Sequence, residues 1–279
     1  MLPAAWTATG QPEAGDAELT LRTSRTFQHS DPEPSETMTE NVASTGRPDR
    51  AGATPATRRP PRLARQLLDE ASARYRVAGR FAYYFARGKL SNDPAFGSIV
   101  HLGWIRPGSR VLDLGCGQGL LASLLLAADH GCRVRGIELL TAEAQRARRA
   151  LGDAAEIVCG DLRDEDFGRT DVAVILDVLH YIDYPEQDQV LQRLREALAP
   201  DGLLLLRVGD ADGGIRFRYS NFIDHLVFLA RGNRRGPLYC RSAAEWRKVL
   251  ESLQFQVETV PLSHGTLFAN VLLKARLRA

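Results

Sequence analysis

The chain has 279 residues, 44% of them hydrophobic, and a formal net charge of only +2. This length and apolar content suffice for one large domain or two small ones. So small a net charge gives no global field that attracts nucleic acid, and no apolar run is long enough to cross a bilayer. The four cysteines are scattered without metal-ligand spacing. We therefore expect free thiols, no metal site and a cytoplasmic protein without a signal peptide.

The first part of the chain, residues 1–60, has the composition of a disordered tail. It is rich in alanine, threonine, serine, proline, glutamate and arginine, with few large aliphatic residues and no sustained apolar period. Met1 and Met38 are the only methionines. We hypothesise that translation starts at Met38.

The next segment, residues 61–106, is predicted to be helical because its apolar residues recur at roughly helical spacing. Asp93 followed by Pro94 is typical of a helix start, with the acid as N-cap. Tyr83 and Tyr84 lie in an aromatic cluster of this segment. They either pack against the protein or belong to a lid that contacts an apolar or aromatic substrate.

The most informative stretch follows, where a short apolar run is succeeded by alternating glycines. Asp113 lies at the end of the predicted first strand, and Gly115, Gly117 and Gly119 form a turn before a helical pattern. Such a turn lets a nucleotide-like ligand lie against bare backbone. A dinucleotide-binding loop has G-x-G-x-x-G spacing, whereas Leu120 occupies the position of its third glycine here. Because the Asp113 carboxylate would repel a pyrophosphate and suits an ammonium or sulfonium group, a cationic ligand is favoured.

Acidic residues also follow the next two predicted strands. Glu138 ends the second strand, where its carboxylate can accept hydrogen bonds from both hydroxyls of a ribose. Leu139 comes next and can pack on an adenine face, and Asp161 follows the third strand. The fifth strand is predicted at 202–208 and the last at 266–273. The strands are largely apolar, as parallel strands covered on both faces should be.

The sequence D-L-G-C-G-Q-G over residues 113–119 resembles the first motif of the class I S-adenosylmethionine-dependent methyltransferases. Further elements follow in that family's order over residues 108–210. The resemblance implies an α/β fold with a Rossmann-like, doubly wound, seven-stranded sheet, mostly parallel with an antiparallel last strand and helices on both faces. This domain is expected to span residues 107–279, with a substrate-binding insertion at 209–241.

The resemblance also implies that S-adenosylmethionine is the cofactor. Asp161 would then take the adenine amino group, and the backbone N–H of Leu162 would meet a ring nitrogen. The other positions predicted to bind the cofactor are Asp113, Gly115, Cys116, Gly117, Gly119, Glu138, Leu139 and Asp177.

Methyl transfer requires mainly that the protein positions a nucleophile against the methyl carbon, in some cases with removal of a proton. His180 and Tyr181 follow the fourth predicted strand, at the edge where the substrate should bind. His180 is the candidate general base because histidine titrates near neutral pH, and the alternative is that it packs beside the cofactor. The candidate substrate contacts are Tyr83, Tyr84, Arg216, Tyr219 and His264.

A small-molecule acceptor is favoured. The stretch after the fourth strand lacks the Asn/Asp-Pro-Pro-Tyr/Phe motif of amino-group methyltransferases and the cysteine of cytosine-5 enzymes. Residues 85–90 and 265–273 are similar to bacterial methyltransferases encoded beside polyene and fatty-acid-like synthesis genes. That similarity implies O- or C-methylation of an aryl group, free or on a carrier protein. The arginine-rich insertion is either a solvated face or a docking site for an anionic substrate or carrier.

Two other interpretations remain open. The first is a non-catalytic cofactor-binding or assembly protein that kept the fold, because methyl transfer needs few obligatory side chains. The second is a nicotinamide-dependent dehydrogenase, which the glycine spacing disfavours.

Overall fold

The computed structural model describes residues 62–209, 238–262 and 270–278. The predicted tail with Met38 and most of the predicted insertion lie outside these residues, as do Arg216, Tyr219 and His264. Within the described ranges, no helix is both long and apolar enough to span a bilayer. The same ranges contain no cluster of three or more histidine, cysteine, aspartate or glutamate side chains arranged for a metal ion.

Helices and strands alternate after an initial helical segment. The helices are α1 Arg65–Ala73, α2 Arg80–Asn92, α3 Pro94–His101, α4 Leu120–Ala127, α5 Thr141–Leu151, α6 Tyr184–Ala197 and α7 Ala243–Ser252, and a 3-10 helix, Arg74–Ala78, joins α1 to α2. The strands are β1 Arg110–Leu114, β2 Arg133–Glu138, β3 Glu156–Cys159, β4 Thr170–Leu176, β5 Leu198–Gly209, β6 Phe255–Pro261 and β7 Asn270–Leu277.

In the described part of the chain, these strands form one sheet in the order β3-β2-β1-β4-β5-β7-β6. Strands β1 to β5 pair in parallel, and β7 runs antiparallel to both of its neighbours. The predicted Rossmann-like fold is thereby confirmed. The order of strands reverses between β1 and β4, and the carboxyl ends of strands at such a switch point are where ligands bind in open α/β sheets.

Two strands differ from their predicted boundaries. β5 begins at Leu198, before the predicted 202–208, because Leu198 pairs with Thr170 across an irregularity in the ladder. β7 continues to Leu277, beyond the predicted end at residue 273, and pairs with β6 over that extension. Polar residues interrupt the apolar pattern at this end, so the sequence did not predict it. Lys274 pairs with Glu258 of β6, with 2.8 Å between its Nζ and the carboxylate.

Alternating strand residues face two apolar layers. Val111 and Leu205 pack in the layer beneath α4 and the N-terminal helical segment, α1 to α3. Leu204 packs in the opposite layer, beneath α6 and α7. Because side chains alternate along a strand, Asp113 and Arg207 point to the side of the N-terminal helical segment. Both charged residues therefore lie at the carboxyl edge of the sheet, on the same face.

Candidate active site

The predicted glycine turn lies between β1 and α4, and its three glycines have positive φ angles. These angles are 71° at Gly115, 57° at Gly117 and 73° at Gly119, a region that residues with a side chain rarely adopt. A Cβ atom added to Gly115 would lie 2.3 Å from Cγ2 of Val178, in the loop after β4. One added to Gly117 would meet nothing within 4 Å. The turn is thus closed against the neighbouring loop on one side and open to a ligand on the other.

Asp113 is the buried acid of this site. The residue is only 5% exposed at the end of β1. Burial raises the pKa of its carboxyl to about 7, and the negative charge of nearby Glu138 contributes to the rise. A cation beside Asp113 would offset both causes, so the site favours a positively charged ligand group.

Glu138 lies beside Asp113 at the end of β2 and supports the glycine turn. Its carboxylate accepts the backbone N–H of Gly117 at 2.8 Å and that of Leu140 at 2.8 Å. Each carboxylate oxygen can accept a second hydrogen bond, so the predicted contacts with a ribose are compatible with this geometry. The adjacent Leu139 is 62% exposed and offers an apolar surface at the same edge.

Asp161 follows β3 and is paired with an arginine that the sequence analysis did not single out. The Arg163 guanidinium donates to both Asp161 oxygens, with 2.6 Å from Nη2 to Oδ2, and also pairs with Glu186 at 2.6 Å. These hydrogen bonds hold the pKa of Asp161 below its usual range. The carboxylate therefore stays ionised, with both oxygens already accepting from Arg163, and its contact with an amino group stays a prediction. Leu162 is partly buried against the layer beneath α6.

Arg207 of β5 is a second residue that the sequence analysis missed, although a lone arginine in an apolar strand is a visible signal. It is 3% exposed and donates to both carboxylate oxygens of Asp177. Its Nη1 lies 2.5 Å from Asp93, the N-cap of α3. Although burial opposes ionisation of Asp93, Arg207 and Lys89 outweigh it and hold the pKa of Asp93 well below its usual range.

The loop after β4 contains the two predicted catalytic residues. Asp177 begins it with a left-handed φ of 59°, held by its ion pair with Arg207. The rings of His180 and Tyr181 pack together, with 4.1 Å between their centroids. The backbone carbonyl of His180 accepts the N–H of Tyr239 at 2.9 Å, which fixes this loop to the last residues of the predicted insertion.

The N-terminal helical segment contacts the glycine turn through Tyr75. This fully buried residue donates its hydroxyl to the carbonyl of Gln118 at 2.8 Å, and burial raises its pKa far above the usual value. The two predicted substrate tyrosines differ in environment. Tyr83 is partly buried with Arg76 5.3 Å above its ring, whereas Tyr84 is 62% exposed.

A family model described as a methyltransferase domain matches residues 78–260, more than half of the chain. The chain belongs to this methyltransferase family. Membership confirms the predicted family, whose cofactor is S-adenosylmethionine.

Among curated relatives, the methyltransferase is similar to the carboxy-S-adenosyl-L-methionine synthase of Pseudoalteromonas atlantica. The two are 30% identical over 106 residues, which cover 35% of this chain and 43% of that protein. The synthase of Chromohalobacter salexigens is 31% identical over 126 residues, or 40% of this chain and 47% of that protein. The chain spans about half the length of the curated relatives it matches.

Solved structures show the same fold at low identity. The complex between the Haloferax volcanii Trm112 activator and a putative methyltransferase matches with a TM-score of 0.54 and 16% identity, covering 78% of this chain and 100% of that chain. Magnesium protoporphyrin IX methyltransferase from Synechocystis with bound S-adenosylhomocysteine matches with a TM-score of 0.52 and 21% identity, covering 77% and 98%. At these identities the similarity establishes the fold.

We predict that cofactor affinity rises with pH through the pKa of Asp113. With this pKa raised to about 7, the carboxyl is mostly neutral at pH 6 and mostly ionised at pH 8, and only the ionised form attracts a cation. In calorimetry, S-adenosylhomocysteine should bind about tenfold more tightly at pH 8 than at pH 6. Asp113→Asn should bind weakly at both pH values. A wild-type affinity that is independent of pH would contradict the role of Asp113.

The stability of the unliganded protein provides an independent check, because it should depend on pH in the opposite direction from cofactor affinity. Because folding raises the pKa of Asp113, the folded state holds this proton more tightly, and the contribution of Asp113 to the free energy of unfolding falls as pH rises from about 4 to 7. Asp113→Asn should therefore be more stable than the wild type at pH 8 and similar to it at pH 4. Denaturant unfolding at both pH values measures this difference.

We predict that Gly115→Ala is more damaging than Gly117→Ala. Both changes place a side chain at positive φ, which costs about 1–2 kcal/mol. Only the alanine at 115 also collides with Val178, and overpacking adds about 1–3 kcal/mol. Thermal unfolding and cofactor titration measure the two effects, and Val178→Ala should rescue Gly115→Ala alone. Equal losses in the two single variants would show that the approach of Val178 is unimportant.

We predict that Arg207→Gln lowers the free energy of unfolding by about 3–5 kcal/mol, because it leaves two carboxylates without their buried cation. Arg110→Gln is the matched control. Arg110 also forms a bidentate pair, with Asp171, but both side chains are more than a third exposed, so solvent screening should make the loss small. If denaturant unfolding showed the same loss of unfolding free energy in both variants, the burial of Arg207 would be unimportant.

Proposed function

We propose that this protein transfers the methyl group of S-adenosylmethionine to a small molecule at the carboxyl edge of β1 and β4. The observation that carries the proposal is the buried Asp113, with a pKa of about 7, next to a glycine turn that is open beside Gly117. A buried acid next to open backbone suits a ligand that combines a positive charge with a nucleoside. A dinucleotide pyrophosphate would meet a negative charge at the same place.

Each acid at this edge is assigned to a different part of the cofactor. Asp113 faces the positively charged amino acid end, Glu138 accepts from the ribose, and Asp161 accepts from the adenine amino group. Leu139 packs on the adenine face. In the described part of the chain, nothing donates to the buried Oε1 of Gln118, and a ligand ammonium would satisfy this acceptor.

The thiol of Cys116 takes no part in this chemistry. Burial raises its pKa well above the ordinary value, and the charges of Asp113 and Glu138 raise it further. A neutral thiol is neither a nucleophile nor a metal ligand. Cys116 therefore contributes to the site through its backbone, together with Gly115, Gly117 and Gly119.

When bound, the cofactor supplies a methyl group on a positively charged sulfur, which leaves with the bonding electron pair. The chain has to orient the acceptor and, for an oxygen or carbon acceptor, remove a proton. Both oxygens of Asp177 are occupied by Arg207. We therefore assign proton removal to His180 and orientation of the acceptor to Tyr181, with Asp177 holding the start of their loop.

The acceptor is proposed to be an aryl compound, free or on a carrier protein. Tyr84 presents an exposed ring on α2, and Tyr83 lies behind it at 5.1 Å between ring centroids. The N-terminal helical segment would then act as a lid over the acceptor. Contacts from Arg216, Tyr219 and His264 remain predictions.

Methyl-labelled S-adenosylmethionine and fractionated cell extract test this proposal. Label in the small-molecule fraction supports it, and label that mild base releases from protein identifies a carrier-bound acceptor. Cofactor binding without transfer to any fraction would favour the non-catalytic alternative. The similarity to carboxy-S-adenosyl-L-methionine synthases defines a further outcome, in which the cofactor itself gains a carboxyl group and no methyl group moves.

We predict that His180→Gln lowers turnover by about 10²- to 10⁴-fold, the usual contribution of a general base. The acid limb of the pH profile should flatten because the titrating group is gone, while the affinity for S-adenosylhomocysteine stays within about twofold of the wild type. His101→Gln is the control, since His101 is exposed on α3 and bonds the carbonyl of Arg62. Unchanged turnover in His180→Gln would remove this residue from the mechanism.

A further inference from the structure

Helix α2 has apolar residues on two opposite sides. Its inner side consists of Ala82, Ala86 and Leu90, which are at most 1% exposed. Phe81 and Tyr84 are three residues apart and share one face of α2, and Val77 lies just before them in the preceding 3-10 helix, across the break at Gly79. Their exposed fractions are 70%, 62% and 74%. We call these three residues the α2 ridge.

The α2 ridge is held in a fixed shape by its neighbours. Phe81 stacks on Phe85 with 6.2 Å between ring centroids, and Tyr84 meets Tyr83 edge to face. Contiguous exposed apolar residues of this kind mark an interaction surface more often than isolated ones do. The ridge therefore needs a partner that is itself apolar where it meets Phe81.

The charges around the ridge identify the chemistry of that partner. Residues 71–92 contain five basic residues and no acidic one, although the whole chain has a net charge of only +2. Arg87 and Lys89 are paired with carboxylates, whereas Arg76 and Arg80 are exposed beside the ridge. Exposed aromatic residues flanked by arginines are typical of helices that lie in the interface of an anionic membrane.

Both ends of the helical stretch are anchored to the body of the protein. Tyr75 bonds the glycine turn at one end, and Asp93 bonds Arg207 at the other. The ridge is thus presented on a rigid support, so that docking it requires little ordering of the backbone.

We propose that the α2 ridge docks this protein onto an anionic lipid surface, with Val77, Phe81 and Tyr84 entering the interface and Arg76 and Arg80 contacting lipid headgroups. This docking does not require the proposed methyl transfer, and because Tyr84 is also the proposed acceptor contact, the test variants leave Tyr84 unchanged. A protein that binds no S-adenosylmethionine would still bind vesicles in this way.

Sedimentation of the full chain with vesicles tests the proposal. The wild type should bind vesicles that contain about one-third phosphatidylglycerol in phosphatidylcholine, and binding should weaken as salt is added. Val77→Ser/Phe81→Ser should reduce binding roughly tenfold or more. Arg76→Gln/Arg80→Gln should reduce it about fivefold for each arginine replaced.

Two controls separate docking from general surface effects. Leu102→Ser changes an apolar residue that is 54% exposed after α3, and Arg149→Gln changes an exposed arginine of α5. Both should bind vesicles like the wild type. All variants should retain wild-type affinity for S-adenosylhomocysteine, which shows that they are folded.

Three results would overturn the proposal. The wild type could fail to sediment with anionic vesicles, or the two controls could lose as much binding as the ridge variants. In the third, Val77→Ser/Phe81→Ser converts a dimer to a monomer in sedimentation equilibrium and leaves vesicle binding unchanged. That result would assign the ridge to contact with a second copy of the chain.

Discussion

The packing of this protein around its site depends on a guanidinium that has been removed from water. Arg207 is 3% exposed near the carboxyl end of β5, and a buried cation persists only where carboxylates and hydrogen bonds replace its hydration. Its two partners come from different parts of the chain. Asp93 begins α3 in the N-terminal helical segment, and Asp177 begins the loop after β4. The same ion pairs therefore position the helices over the site and the loop that contains His180.

Two of the buried charged residues at the site, Arg207 and Asp113, have opposite environments. Arg207 is neutralised inside the protein by carboxylates on either side. Asp113 instead lies beside a second acid, Glu138, and its pKa rises to about 7. A charge that is neutralised by partners within the protein stabilises the fold. An acid without such a partner, next to open backbone, favours the binding of a cation. Arg207 therefore supports the structure of the site, whereas Asp113 is placed to bind a ligand.

The parts of the fold that were predictable are those that local spacing determines. Alternating glycines after Asp113, and acids at the ends of successive apolar strands, indicated the sheet and the cofactor edge. The pairing of Arg207 with Asp93 joins residues 114 positions apart, and no local period encodes such a contact. Tyr75 was predictable as an apolar position of a helix, but its hydroxyl bond to Gln118 was not. The early start of β5 was not predicted because the turn-type residues Pro200, Asp201 and Gly202 interrupt the apolar pattern.

The two anchors of the N-terminal helical segment also limit how the site opens. Swinging α2 away from the sheet has to break the bond from Tyr75 to the glycine turn and the ion pair between Asp93 and Arg207. Leaving a buried hydrogen-bonding group unpaired costs about 1–3 kcal/mol, and breaking a buried ion pair costs about 3–5 kcal/mol. Together these costs make such an opening rare at equilibrium, because each 1.4 kcal/mol lowers a population tenfold. We infer that the proposed lid is a fixed cover of the site, held in place at both attachments.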